Sequence, residues 1–236
     1  MKKALTLLLL VLTVSLLGAQ ERTAPITKVD WKEIGILSTN HPDSIKTLIK
    51  RMLKKQIDTT LTYKERLTAY VGQTYLSKAG SADLLLMDYN DSVRNKNYDG
   101  ALRTALQAVK IYPLSLEANM DVMDMILQQI KDSTKKSAYT VDDLRYYYHI
   151  TMRIMNTIAA SGDGSHKNPF AVISVGDEYV FMRDYLNIEN GNQYLVGGTP
   201  PCDKLNVKEK SKYYKADEIY FDITRVTELE MEMFKK

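Results

Sequence analysis

Cysteine is nearly absent from this chain of 236 residues. Cys202 stands alone, so no internal disulfide can form and the fold must rest on its core. Histidine is scarce too, with three residues, His41, His149 and His166, far apart in sequence. No His-Glu-x-x-His and no Cys-x-x-Cys pattern occurs, which removes the usual zinc sites. No Gly-Lys-Ser/Thr ending marks a phosphate loop, and no alternating oxygen ligands mark a calcium loop. No metal or other cofactor is expected. Charge of one sign is also lacking, with 32 basic residues against 29 acidic. A near-neutral chain has no bulk electrostatic reason to bind nucleic acid or anionic membranes.

Long apolar runs are missing except at the start. Met1-Lys2-Lys3 precedes an apolar stretch from Ala4 to Leu17, and Gly18-Ala19 follows. Charge, a greasy run and small residues are the three parts of a secretory signal, with cleavage expected after Ala19. The run is shorter than the ~20 residues of a membrane span. Losing Lys2 and Lys3 leaves a mature chain with one basic residue in excess. The expectation is an exported protein, periplasmic or extracellular, with no transmembrane segment.

What is present changes rhythm near residue 162. The organisation expected is a signal over 1–19, a linker over 20–29, a helical region over 30–162 and a small sheet region over 163–236, packed as one unit. Upstream, apolar residues recur at steps of three and four. Asp30 to Leu37 reads as a short helix, ended by His41-Pro42-Asp43, and Ile45, Leu48, Ile49, Met52 and Leu53 form the next stripe. Thr62-x-x-Glu65 has the pattern of a capping box and opens a helix ending near Gly80. Helices follow over Asp83–Asn95, which is only modestly amphipathic, then Tyr98–Tyr112 and Leu116–Ile130. Thr140 and Asp142 offer caps for a last one, whose stripe runs from Leu144 to Ile158 and which Gly162 ends as a glycine just past a helix.

Downstream, Val172, Ile173 and Val175 read as a strand, and Asp177 to Leu186 as a short helix with acid at its N-terminus. Tyr194-Leu195-Val196, Leu205/Val207 and Ile219/Phe221/Ile223 show the period of two that marks half-buried strands. The fold class expected is therefore α+β: helical hairpins, then a small antiparallel sheet with one short helix.

Tyr98-x-x-Ala101-x₆-Ala108-x₄-Pro113 resembles the second helix of a tetratricopeptide repeat, although Asp88 and Tyr89 stand where a Leu-Gly pair is usual. A wider resemblance covers nearly the whole mature chain. Its stretches are Asp58 to Thr62, Tyr98 to Ala118, Ser161 to Gly164, Ala171 to Tyr179, Cys202-Asp203-x-Leu205 and Tyr220 to Thr224. They resemble the domain of unknown function family 4919, exported proteins of Gram-negative gut bacteria. The chain departs from it at Gly176, where a Ser is typical. This resemblance implies export and fold and brings no chemistry.

Two readings attach to each polar candidate. Ser161-Gly162-Asp163-Gly164-Ser165-His166 is a turn able to hold an anion on free N–H groups, or only a helix end with turn residues. Asp177, Glu178, Asp203 and Asp222 stand near strand ends as paired acids or as capping charges, but adjacent Asp177 and Glu178 lie ~100° apart on a helix. Cys202 is a nucleophile with a histidine base such as His166, or a small packed hydrophobe. Tyr146, Tyr147 and Tyr148 spread around their helix and read as packing. Tyr213-Tyr214 reads as an exposed aromatic pair able to anchor a partner.

The function these features suggest is a non-enzymatic binding or scaffolding module of the cell envelope, with another envelope protein or a peptide as partner. The competing reading is a small hydrolase at the helix–sheet junction, using Asp163, His166, Asp177, Glu178, Cys202 and Asp203.

Overall fold

The structure is a computed structural model that describes residues 25–132 and 137–234. The signal-like segment, 1–19, lies outside the described residues. Helices α1 (Trp31–Asn40), α2 (Pro42–Met52) and α3 (Tyr63–Gly72) come first, with a 3₁₀ turn over Gln73–Tyr75. Helices α4 (Ser81–Arg94), α5 (Tyr98–Ile111), α6 (Leu116–Lys131) and α7 (Val141–Ser161) follow. Strand β1 (Phe170–Ala171) leads to α8 (Val175–Val180), whose last turn widens into a π-turn over Phe181–Leu186. Strands β2 (Glu189–Val196), β3 (Cys202–Glu209) and β4 (Glu218–Asp222) and helix α9 (Thr224–Phe234) complete the chain.

Local chemistry explains where these elements begin. Thr62 and Glu65 form the expected capping box, each side chain taking the other's backbone N–H. Thr140 forms a second box, but with Asp143. Asp142 instead pairs with Arg145 at 2.6 Å. Ser115 caps α6 and Ser174 caps α8, each accepting a backbone N–H three residues on.

Three expectations about element ends need correction. Helix α3 stops at Gly72, and Gly80 instead precedes α4 with φ 76°, a left-handed conformation that suits glycine. Gly162 is extended, not left-handed. Glycine is needed there because a Cβ would stand 2.1 Å from the Pro169 carbonyl oxygen. The strand expected at Val172–Val175 is the shorter Phe170–Ala171, since Ser174 opens a helix that takes Val175.

The sheet, in order β1-β4-β3-β2, is mixed rather than antiparallel throughout. β1 runs parallel to β4, with Phe170 opposite Phe221, because α8, β2 and β3 intervene between them. β3 pairs antiparallel with both neighbours, setting Cys202 opposite Asp222 and Leu205 opposite Ile219.

Helices and sheet share one buried cluster. Ile45, Tyr70, Ile150, Ile154 and Ile158 from the helices meet Phe170, Phe181, Leu205, Ile219 and Phe221. A second cluster joins α4 to α7 through Tyr89, Ala101, Leu102, Ala105, Val122, Ile126 and Leu144. Two buried arginines also tie distant segments together. Arg153 of α7 donates to the carbonyls of Met52, Lys54 and Lys55 just past α2. Arg225 of α9 lies 3.7 Å over the Tyr75 ring and donates to Thr74, Glu228 and Glu232. Among the described residues no helix is long and apolar enough to cross a membrane.

Candidate functional site

The turn after α7 spends its donors on itself. The N–H groups of Asp163 and Gly164 both donate to the Asn168 carbonyl, at 2.9 and 3.1 Å. The Ser165 N–H goes to Asp163 Oδ1 at 2.9 Å. Ser161 Oγ donates to Ile158 O and accepts from the Ala171 N–H. Gly164 has φ 80°, and its carbonyl receives Tyr220 N–H, with the Tyr214 hydroxyl 3.2 Å away. His166 packs on the Tyr220 ring, centroids 5.0 Å apart. This segment is therefore laced to β4.

Tyr214 is not the exposed aromatic expected. Its ring is buried and its hydroxyl donates to Glu218 O at 2.8 Å. The Ser211 side chain turns the loop inward by accepting the N–H groups of both Tyr213 and Tyr214. Tyr213 stays half-buried, beside Lys212.

Alternation along β3 separates the remaining candidates, since successive strand residues face opposite sides. Asp203 shares the inner face with Leu205. Cys202 shares the outer face with Lys204, whose partner across the strands is Tyr220, the residue that carries His166. The Cys202 thiol is buried, points to Pro200 O at 3.6 Å, and is pushed up to about 11 by burial and by Asp222 and Asp203. Asp222 receives Trp31 Nε1 at 2.8 Å and the Thr224 N–H at 3.0 Å, tying α1 and α9 to the sheet.

On the inner side, three acids from α8 and β3 come together. Asp177 is fully buried. Its Oδ2 takes the Tyr70 hydroxyl at 2.5 Å and its Oδ1 takes the Glu117 N–H at 3.0 Å. Burial raises its carboxyl to about 6, while Tyr70 opposes the shift. Glu178 is fully buried and neither of its carboxylate oxygens has a hydrogen-bond partner. Burial, then Asp203 and Asp177, push it well above the usual range. Asp203 takes Gln193 Nε2 at 2.5 Å, and Gln193 Oε1 takes the Tyr179 hydroxyl. Among the described residues no group of acids, histidines or cysteine is arranged to hold a metal ion.

Periodicity in the sequence does not reveal a cleft of about 310 Å³ between α4, the starts of α6 and α8, and α9. Leu86, Met87, Ala118, Val226, Leu229 and Met233 give it apolar walls, and Glu117 and Glu230 carry its charge. On α4 and α9 apolar side chains stay exposed: Met87 and Leu84 at 66%, Met231 at 54% and Phe234 at 85%. The signal was in α4, whose modest amphipathicity reflects Leu84 and Met87 turned outward. At the cleft floor the Glu117 carboxylate lies over Gly176, filling the space where a Cβ would sit. A larger hollow of about 620 Å³ is lined mostly by polar residues, among them Asn97, Asp99 and Gln128.

Comparison with known proteins returns neither a curated protein nor a solved structure. It does return one family model, matched over residues 37–232, from α1 to the last turns of α9. That span takes in both the helices and the sheet, and on it the chain belongs to the family described as Domain of unknown function (DUF4919).

Proposed function

We propose that the protein is a non-catalytic binding module that docks an apolar segment of a partner, an envelope protein or a peptide, in the cleft between α4 and α9. The observation that carries this reading is the cleft itself, with Met87 of α4 and Met233 of α9 among its walls and further apolar side chains exposed on the same two helices. Exposed apolar surface of this kind marks interaction sites on folded proteins. Methionine is unbranched and adapts to varied partners. The segregation of Cys202 and Asp203 to opposite faces of β3, and the self-satisfied turn at 161–166, favour this reading over a hydrolase. The signal-like start of the chain makes the cell envelope, or the space beyond it, the proposed setting.

The test is a photoreactive amino acid placed at Met87, with one at the exposed His149 as control, in cells producing the protein. A discrete crosslinked species from position 87 alone is expected. No adduct at 87, or the same adducts at both positions, would overturn the docking reading. Ester or peptide hydrolysis by the purified protein, abolished by Cys202→Ala, would restore the hydrolase.

A further inference from the structure

The charge around the cleft goes further than its shape. Resting on the docking reading, we infer that the occupant is a basic amphipathic segment, one that sets a lysine or arginine beside its apolar side chains. Among the described residues Glu117 and Glu230 are the charged ones that line the cleft, and no lysine or arginine does. Glu230 stands on the apolar stripe of α9, four residues after Val226 and three before Met233, so it faces the same way they do. A stripe meant only for packing has no use for a carboxylate at that place.

The flanking helices deepen the imbalance. α9 carries Glu228, Glu230 and Glu232 against Arg225, and Arg225 is buried and bound to Glu228 and Glu232. On α4 the exposed acids are Asp88 and Asp91, and Arg94 is spent on Asp91. The chain as a whole is slightly basic, so these two helices run against its overall balance.

An anionic occupant would have to use the starts of α6 and α8, which also open on the cleft. Three of their donors are already engaged. The Glu117 N–H goes to Asp177, the Ala118 N–H to Ser115 Oγ, and the Asp177 N–H to Ser174 Oγ. The Glu117 side chain lies over the start of α8. What remains open to a visitor is apolar wall and the exposed Glu230 carboxylate. The volume, at the small end for ligand pockets, suits a few side chains of a docked segment.

The experiment uses three short fluorescein-labelled peptides with the same leucine spacing and with lysine, serine or glutamate at the polar positions. Anisotropy is read against the whole protein. The lysine peptide is expected to bind about tenfold or more tighter than the glutamate peptide, with added salt weakening it. Glu230→Lys should remove most of that preference. Circular dichroism checks that this exposed-site variant is folded.

If all three peptides bind alike and Met87→Asp weakens them together, the cleft docks apolar segments and the charge inference falls. If none binds, or if Met87→Asp changes nothing, the docking reading falls with it. Lysine-peptide binding indifferent to Glu230→Lys would also overturn the inference.

Discussion

Asp177 of α8 accepts the backbone N–H of Glu117, the second residue of α6, at 3.0 Å, and so caps a helix other than its own. Its other oxygen takes the Tyr70 hydroxyl, which in turn accepts the Ile173 N–H at 3.3 Å. One buried network thus joins α3, α6, α8 and the segment after β1. Tyr70→Phe strips a partner from two buried groups at once. It should destabilise the protein by about 2–4 kcal/mol, read as a lower urea midpoint. Asp177→Asn keeps an acceptor for Glu117 and should cost less than Asp177→Ala.

Stability should rise as the solution is made mildly acidic. Burial raises Asp177 to about 6 and Asp121 to about 8, and it pushes Glu178 well up. An acid whose folded pKa lies above its unfolded value stabilises the protein fully below the unfolded value. That contribution is lost as pH rises through the folded one. The window therefore runs from about pH 4 to about pH 8. Asp58 and Glu65 act in the opposite sense, lowered chiefly by Arg51 and Thr62 respectively, and their contribution fades only below about pH 4. Exposed His149, its imidazole lowered by partial burial and then by Arg153 and Arg145, opposes the trend weakly near neutrality. Urea midpoints should be higher near pH 5 than near pH 8.5, with Asp121→Asn flattening the upper part of the curve. A midpoint that climbs with pH across this range would contradict the assignment.

Glu178 contributes no hydrogen bond and faces two other acids. Replacing it with leucine removes a desolvation cost and keeps the volume close. Buried polar groups without partners cost about 1–3 kcal/mol, so Glu178→Leu should raise the melting temperature. Calorimetry near pH 8 shows the effect most clearly, because ionisation is most costly there. A large fall in stability would mean that the carboxyl is engaged in a way its neighbours do not reveal.

The rhythm of the chain carried the architecture. Ile150, Ile154 and Ile158 return at helical spacing, Ile219 and Phe221 at strand spacing, and both sets meet in one core. What periodicity could not carry was anything set by distant partners. Arg153 and Arg225 are charged residues on helices, and partners distant in sequence help to hold them buried: the carbonyls at the end of α2 for one, Thr74 and the ring of Tyr75 for the other. Tyr214 is buried because Gly164 leaves room for its hydroxyl, fifty positions away. Similarly, Ser174 lies inside an apolar run, so the helix start it caps was hidden by Val172 and Ile173 before it. The cleft was illegible for the same reason: its walls come from four separate elements. Asp177 and Glu178 were legible as residues of interest, but the burial that sets their chemistry was not.

Cys202 should resist alkylation. Its thiol is buried and its pKa is pushed up to about 11, so little thiolate forms near pH 8. Iodoacetamide should label the native protein far more slowly than the urea-unfolded chain, as followed by mass spectrometry. Comparable rates would mean that the thiol is reached by solvent.

Two glycines separate backbone constraint from side-chain accommodation. At Gly162 an added Cβ would meet the Pro169 carbonyl at 2.1 Å, which is backbone held by the turn into β1. At Gly176 it would meet the Glu117 carboxylate at 1.7 Å, the far end of a side chain that can swing away. Gly162→Ala must therefore shift the chain where α7 meets the sheet. Its cost should reach or exceed the ~1–3 kcal/mol of overpacking. Gly176→Ala displaces Glu117 into the cleft and should leave stability within about 1 kcal/mol while changing what the cleft can accept. The check is a pair of urea melts beside anisotropy with the lysine peptide. Equal losses of stability at both positions would show that the floor of the cleft is as rigid as the turn, and that Glu117 is locked over α8.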